Sequence, residues 1–184
     1  MSVIAIPCER VTLCILSPRQ AGLVELYYLE NREHLKPWEP AKQERFYSLD
    51  QHFDRLKLFR KEFKAGQSCH FAVLENASGR MIGMCNFSNI VRGVFQACHL
   101  GYAIAASHQG GGYMHEAVQA GIGYMFDVVQ LHRIMANYMP RNERSARLLE
   151  RLGFEKEGYA KSYLLINGTW EDHILTSLVN PKHT

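Results

Sequence analysis

Leu100–Val128 reads LGYAIAASHQGGGYMHEAVQAGIGYMFDV. A strand-like stretch runs into a short polar connection, three consecutive glycines, and then a long amphipathic helix. In such a unit the first-turn amides have no intrahelical partner, and the helix dipole leaves partial positive charge beside them. Gly110, Gly111 and Gly112 let the backbone bend and approach a ligand with no Cβ in the way. The unit predicts a cradle for a pyrophosphate, although a plain tight turn would use the same residues. A dinucleotide fingerprint is excluded by spacing: the sixth position from Gly110 is His115, and no early strand–turn–helix unit precedes it. A P-loop is excluded because Tyr113 and Met114 follow Gly112 where Lys and Ser/Thr are required.

Outward from this unit the periodicity alternates between strand and helix. Upstream, Arg10–Leu16 alternates as a first strand, and Ser17-Pro18 opens a helix with Leu23, Leu26 and Tyr27 on its apolar side. The loop His34-Leu35-Lys36-Pro37-Trp38-Glu39-Pro40 is stiffened by its prolines. Its tryptophan is either a wall of a substrate site or a corner packed on the core. Ser48–Gly66 is a second helix, with a capping-box start and a stripe of Phe53, Leu56, Phe59 and Phe63. Arg55, Lys57, Arg60, Lys61 and Lys64 make its other side basic, which suits either solvent or an acidic or RNA-rich partner. His70–Glu75 and Arg80–Ile90 form a hairpin, and Gln96–Ile104 is the next strand.

Downstream, Met114, Ala117, Val118, Gly121, Met125 and Val128 are the buried side of the helix. His132–Met139 is a strand, Pro140 begins a helix closed by Gly153, and Phe154–Ile166 and Thr169–Val179 form a last hairpin around Asn167-Gly168. The order is β-α-α-β-β-β-α-β-α-β-β, without repeat or linker.

A chain of 184 residues with 47% hydrophobic and 21% charged residues is long enough for one well-buried core. A net charge of +3 does not by itself argue for nucleic acid. Met1–Ile6 lacks the basic start of a signal peptide, and no apolar run reaches the roughly 18 residues of a membrane span, so a cytosolic protein is expected. The five cysteines have no C-x-x-C pair and are read as reduced thiols. The nine histidines show no ligand spacing, so no metal site is expected.

Gln109-Gly110-Gly111-Gly112-Tyr113-Met114 resembles the Arg/Gln-x-x-Gly-x-Gly/Ala motif of the GNAT acetyltransferases, with Met114 where that pattern prefers Gly or Ala. The element order is also theirs. His132–Tyr159, Glu30-Asn31-Arg32, His34–Pro40, Asn86–Asn89 and Tyr163–Ile166 are similar to the RimJ-type ribosomal-protein-alanine N-acetyltransferases, and the resemblance covers essentially the entire chain. It implies one α/β (α+β) domain over residues 1–184 with a mixed, mostly antiparallel sheet of about seven strands, four helices and splayed central strands. It further implies acetyl-CoA as cosubstrate and the N-terminal alanine of a small-subunit ribosomal protein as acceptor, in the cytoplasm. Association with ribosomes or their precursors, and a monomeric or homodimeric state, stay open.

The chemistry sets three needs. An α-amine with a pKa near ~8 is mostly protonated at neutral pH, so a proton acceptor is required, together with donors for the developing oxyanion and help for the departing thiolate. By the resemblance, Leu100–Ile104 splays from Asn137–Met139, and the backbone of Tyr102 and Ile104 faces the thioester and the pantetheine arm. Gln109, Gly110, Gly111, Gly112, Tyr113 and Met114 hold the pyrophosphate. Asn137 and Asn142 contact the coenzyme, and Ser145 sits near the sulfur as a proton donor. Asn142 in a helix's first turn also suits a plain cap. Trp38, Glu39 and Tyr138 face the acceptor. The strand run Tyr163–Ile166, where some relatives carry a glutamate, has no carboxylate, so Glu39 is the candidate base, alongside solvent. Two rivals remain: an acetyltransferase for a small amine or aminoacyl nucleotide, and a ribosome-assembly or RNA-binding factor.

Overall fold

The computed structural model describes residues 4–183; Met1–Val3, which begin the apolar opening stretch, and Thr184 lie outside the described residues. In chain order the elements are β1 (Ala5–Pro7), β2 (Val11–Cys14), α1 (Ala21–Leu35), α2 (Leu49–Lys64), β3 (Cys69–Glu75), β4 (Met81–Val91), β5 (Ala97–Ile104), α3 (Tyr113–Asp127), β6 (Arg133–Tyr138), α4 (Glu143–Arg151), β7 (Glu155–Ile166) and β8 (Thr169–Val179). The strands form one sheet in the order β1-β2-β3-β4-β5-β6-β8-β7. Every pairing is antiparallel except β5 with β6. The strand beyond the seven expected is β1, three residues paired with β2 and too short for alternation to declare itself.

The two faces of the sheet carry different helices. Along β4, Cys85 and Phe87 point to the α3 side, into a core with Phe71, Val118, Met125, Ile134 and Leu149. Met84, just before Cys85 in sequence, points the other way as strand alternation requires, toward α1 and α2. There Val24, Tyr27, Tyr28, Leu56 and Ala72 form a second core.

Helix boundaries follow local chemistry. The Gln20 side chain accepts the Ser17 N–H at 2.9 Å, and Pro18 sits in a 3-10 turn that leads into α1. α1 buries Val24, Tyr27, Tyr28 and Asn31 and continues to Leu35, so His34 belongs to the helix rather than to the loop; Leu26, expected inside, is 45% exposed. Asn31 is buried because it has two partners. Its amide donates to the Tyr27 carbonyl at 2.8 Å, and its oxygen accepts the Ala106 N–H at 3.0 Å, fixing α1 to the connection that feeds the glycines.

In α2, Ser48 caps by accepting the Gln51 N–H. The inward stripe uses His52, fully buried, in place of Phe53, which is 40% exposed. In α3 the innermost line ends on Phe126, and Val128, past the helix, is exposed. Pro140 does not begin α4. It lies in a turn closed by the Asn142 N–H donating to the Met139 carbonyl, and the helix starts at Glu143. The last hairpin turns on Asn167 and Gly168 at φ 44° and 85°, the paired left-handed geometry that Asn-Gly favours. Cys14, Cys69, Cys85 and Cys98 are buried, Cys8 is half-buried, and all five are free. No described helix is long and apolar enough to cross a membrane.

Candidate active site

The parallel pairing of β5 with β6 runs from Ala97–Arg133 to Leu100–Ala136 and stops. Beyond it β5 stays with β4 as far as Ile104–Gly83, while β6 stays with β8 as far as Tyr138–Ile174. The two strands therefore diverge as a V, with Leu100 still paired and the opening beginning one residue later than expected. The Ala105 N–H donates to the Ile82 carbonyl at 2.7 Å, on the β4 side. Alternation then turns the backbone groups of Tyr102 and Ile104 away from β4, into the V. Asn137 and Tyr138 form the opposite arm.

The glycine turn sits at the mouth. Gly110 and Gly112 adopt φ 77° and 81°, a left-handed conformation that side chains resist, and Gly112 caps α3. Arg10, from the turn before β2, fixes the loop: its guanidinium donates to the Gly111 carbonyl at 2.7 Å and to Glu116 at 2.9 Å, and packs 4.5 Å from the Tyr113 ring centre. The Met114 departure from the motif is accommodated inward. Its side chain is buried, with the terminal methyl over Gly83, where the missing Cβ leaves room, so any contact Met114 makes with a ligand in the cradle is through backbone.

Gln109 is central to a small network. Its side-chain oxygen accepts from Arg144 on α4, and its amide nitrogen lies 3.1 Å from His34 Nε2. The same His34 nitrogen is 3.2 Å from the Ile104 carbonyl, so the ring accepts from Gln109 or donates to Ile104 according to its tautomer. Arg10, His34 and Arg144 were missed in the sequence. Nothing in their spacing signals a role, because each reaches the cradle from a separate element.

The floor of the V is spanned by one contact. Tyr102 Oη on β5 and Ser145 Oγ on α4 lie 2.6 Å apart. Burial raises the Tyr102 pKa above its ordinary value and the Ser145 bond works against that, with the net shift upward, so the phenol keeps its proton at neutral pH. Ser145 is positioned by Asn142, whose side chain accepts the Ser145 N–H at 3.2 Å; Asn142 is thus the α4 cap. The Asn137 amide lies 3.5 Å from the Tyr163 hydroxyl.

On the α1–α2 side, two adjoining cavities of about 330 and 580 Å³ share Tyr28, Glu39 and Lys42. Glu39 is partly buried and ion-paired with Lys42, while the Asn167 N–H of the last hairpin donates to its backbone carbonyl at 3.0 Å. Burial, then the nearby Arg55 charge, push the Lys42 ammonium down to about 8. Trp38 is not among the residues lining these cavities. Arg141 lies 4.9 Å from its ring centre, donates to the Pro37 carbonyl and pairs with Glu171, so Trp38 sits where the loop is tied to the hairpin.

The acetyltransferase (GNAT) domain family, whose resemblance implied the splayed strands and the glycine cradle, matches residues 10–155; the chain belongs to that family. More particularly, it is 48% identical over 176 residues to the [Ribosomal protein uS5]-alanine N-acetyltransferase of Escherichia coli (strain K12), covering 96% of this chain and 91% of that protein. The crystal structure of a ribosomal-protein-S5-alanine acetyltransferase from Vibrio fischeri superposes with a TM-score of 0.94 at 40% identity, covering 98% of this chain and 99% of that one. Mycobacterium smegmatis RimJ in complex with CoA-disulfide gives a TM-score of 0.89 at 29% identity, covering 98% and 88%.

Proposed function

We propose that the chain, working as one domain, transfers the acetyl group of acetyl-CoA to the α-amine of an N-terminal alanine on a small-subunit ribosomal protein. What carries this reading is the likeness, along nearly the whole chain, to a uS5-alanine acetyltransferase. The cradle fits the coenzyme: Gly110–Gly112 and the first-turn amides of α3 offer donors to a pyrophosphate, and Arg144 adds positive charge beside Gln109. The acetyl thioester would lie in the V, where the Ile104 and Tyr102 amides face its carbonyl oxygen and hold the oxyanion as it forms.

The acceptor nitrogen attacks the thioester carbonyl carbon, the carbon–sulfur bond breaks, and the sulfur leaves as a thiolate. The Tyr102 and Ser145 hydroxyls lie 2.6 Å apart, close enough to relay a proton: as Ser145 Oγ gives its proton to that sulfur it takes one from Tyr102, which regains it from solvent. Glu39, ion-paired with Lys42, takes the proton from the amine directly or through a water. Tyr138, Asn137 and the Pro37–Glu39 loop line the approach.

The test is single-turnover transfer from labelled acetyl-CoA to peptides bearing the N-terminus of each small-subunit ribosomal protein, with small amines alongside. One alanine-starting peptide far above the others is the expected result. Modification of a small amine alone would move the protein to a different acceptor class.

A further inference from the structure

Arg55 was read as one of five cations on the outer side of α2, yet it is turned inward. Its guanidinium lies 4.6, 5.3 and 5.9 Å from the ring centres of Phe46, Phe59 and Tyr28, and it lines the 580 Å³ cavity together with Arg45, Lys42 and Glu39. Three rings fix the orientation of this cation without neutralising it. Two of the carboxylates nearby are ion-paired elsewhere, Glu39 with Lys42 and Glu44 with Arg32, and Glu62 accepts a hydrogen bond from Ser68 and lies 3.3 Å from His70 Nε2. Among the described residues no carboxylate is paired with Arg55 or Arg45. The surplus charge is felt locally. Burial is the main cause of the lowered pKa at Lys42, His52 and His70, and the Arg55 charge lowers all three further.

The cavity is also well placed for an acceptor. Met84 and Asn86 on β4 line it, and they stand in register with Ala103 and Gly101 on the splayed part of β5. A chain whose amino terminus reaches the V from this side would pass over this cavity with its next few residues, each advancing an extended backbone by about 3.3 Å. From these placements, and resting on the acceptor reading above, we infer that Arg55, with Arg45 at the rim, selects acceptor peptides that carry a carboxylate within roughly their first six residues. A concave cavity continuous with the acceptor path suits a side chain of that peptide better than a nucleic-acid backbone, which tracks an open basic groove.

The experiment measures kcat/KM by thiol release for alanine-starting peptides of one length. A single Glu, Gln or Lys is placed in turn at each of positions two to six. Glu is expected to exceed Lys by about tenfold or more at one or two positions, the size of one charge-assisted hydrogen bond. Arg55→Gln should remove that preference and Arg55→Glu should reverse it. Arg45→Gln, on an exposed turn, should reduce it, and this second variant keeps the test sound if α2 packs poorly without Arg55. Equal rates for Glu and Lys at every position, or a preference that survives in both glutamine variants, would overturn the inference while leaving alanine acetylation standing. Thiol release with small amines but with no peptide would overturn both. Competition by an RNA oligonucleotide, with no preference among peptides, would reassign the cations to phosphate and overturn it as well.

Discussion

His52 sets a pH dependence of its own. Its ring is fully buried, stacked on Tyr28 at 5.5 Å, and neither nitrogen has a hydrogen-bond partner among the described residues. Burial, then Arg55, hold its pKa down to about 4 against the ordinary 6.5. Between those values the unfolded chain binds a proton that the folded chain refuses, so stability falls as pH falls through that window and is unaffected above it. Urea melts should show that His52→Leu loses about 2 kcal/mol less than the parent between pH 7 and pH 5, with little change at pH 7. An equal loss in both proteins would show that His52 does not titrate in this way. The same residue marks where periodicity misleads: a histidine scores as polar, so the apolar stripe of α2 was drawn through Phe53 beside it. By contrast, the geometry of the Gly110–Gly112 turn and of the Asn142–Ser145 pair was legible, because it depends on backbone conformation and on spacing at one helix start. Arg10, His34 and Arg144 were not legible, because their roles depend on the meeting of distant segments.

Among the elements, the fit of α3 onto β4 depends on one missing methyl. A Cβ on Gly121 would lie 2.7 and 2.9 Å from ring atoms of the buried Phe87 and 3.4 Å from the Cys85 sulfur. Gly123, two residues on in the same helix, faces nothing within 4 Å. Chemical denaturation should therefore separate two identical substitutions. Gly121→Ala is expected to destabilise by roughly 1–3 kcal/mol through overpacking, and Gly123→Ala to stabilise by up to about 1 kcal/mol through helix propensity. Equal effects would mean that α3 stands off the sheet. Most elements could be read from their periods, β1 being too short and the start of α4 being displaced by the turn at Pro140. The V between β5 and β6 has no signature of its own. It arises where two strands keep different partners, and only the resemblance to a family of that fold anticipated it.

Over the whole molecule, the acceptor side is assembled from parts far apart in the chain. Arg141 joins the Pro37–Trp38 corner to Glu171 on β8, and the Asn167 amide holds the Glu39 carbonyl. Steady-state kinetics of Arg141→Ala should show the acceptor KM raised about tenfold, as expected for losing one well-placed charged contact, with the acetyl-CoA KM unchanged because the cradle lies on the other side of the V. A rise in both would mean that the corner also supports the coenzyme. The cysteines carry a different consequence. Burial raises the pKa of every one, Cys69 and Cys98 to about 12, so at neutral pH they remain protonated. In the reaction proposed above each turnover releases a free thiol, and the cysteine opposite Tyr102 in the sheet, Cys85, is sealed in the core. Buried and held protonated, that thiol is a poor partner for disulfide exchange with the sulfur of the spent coenzyme.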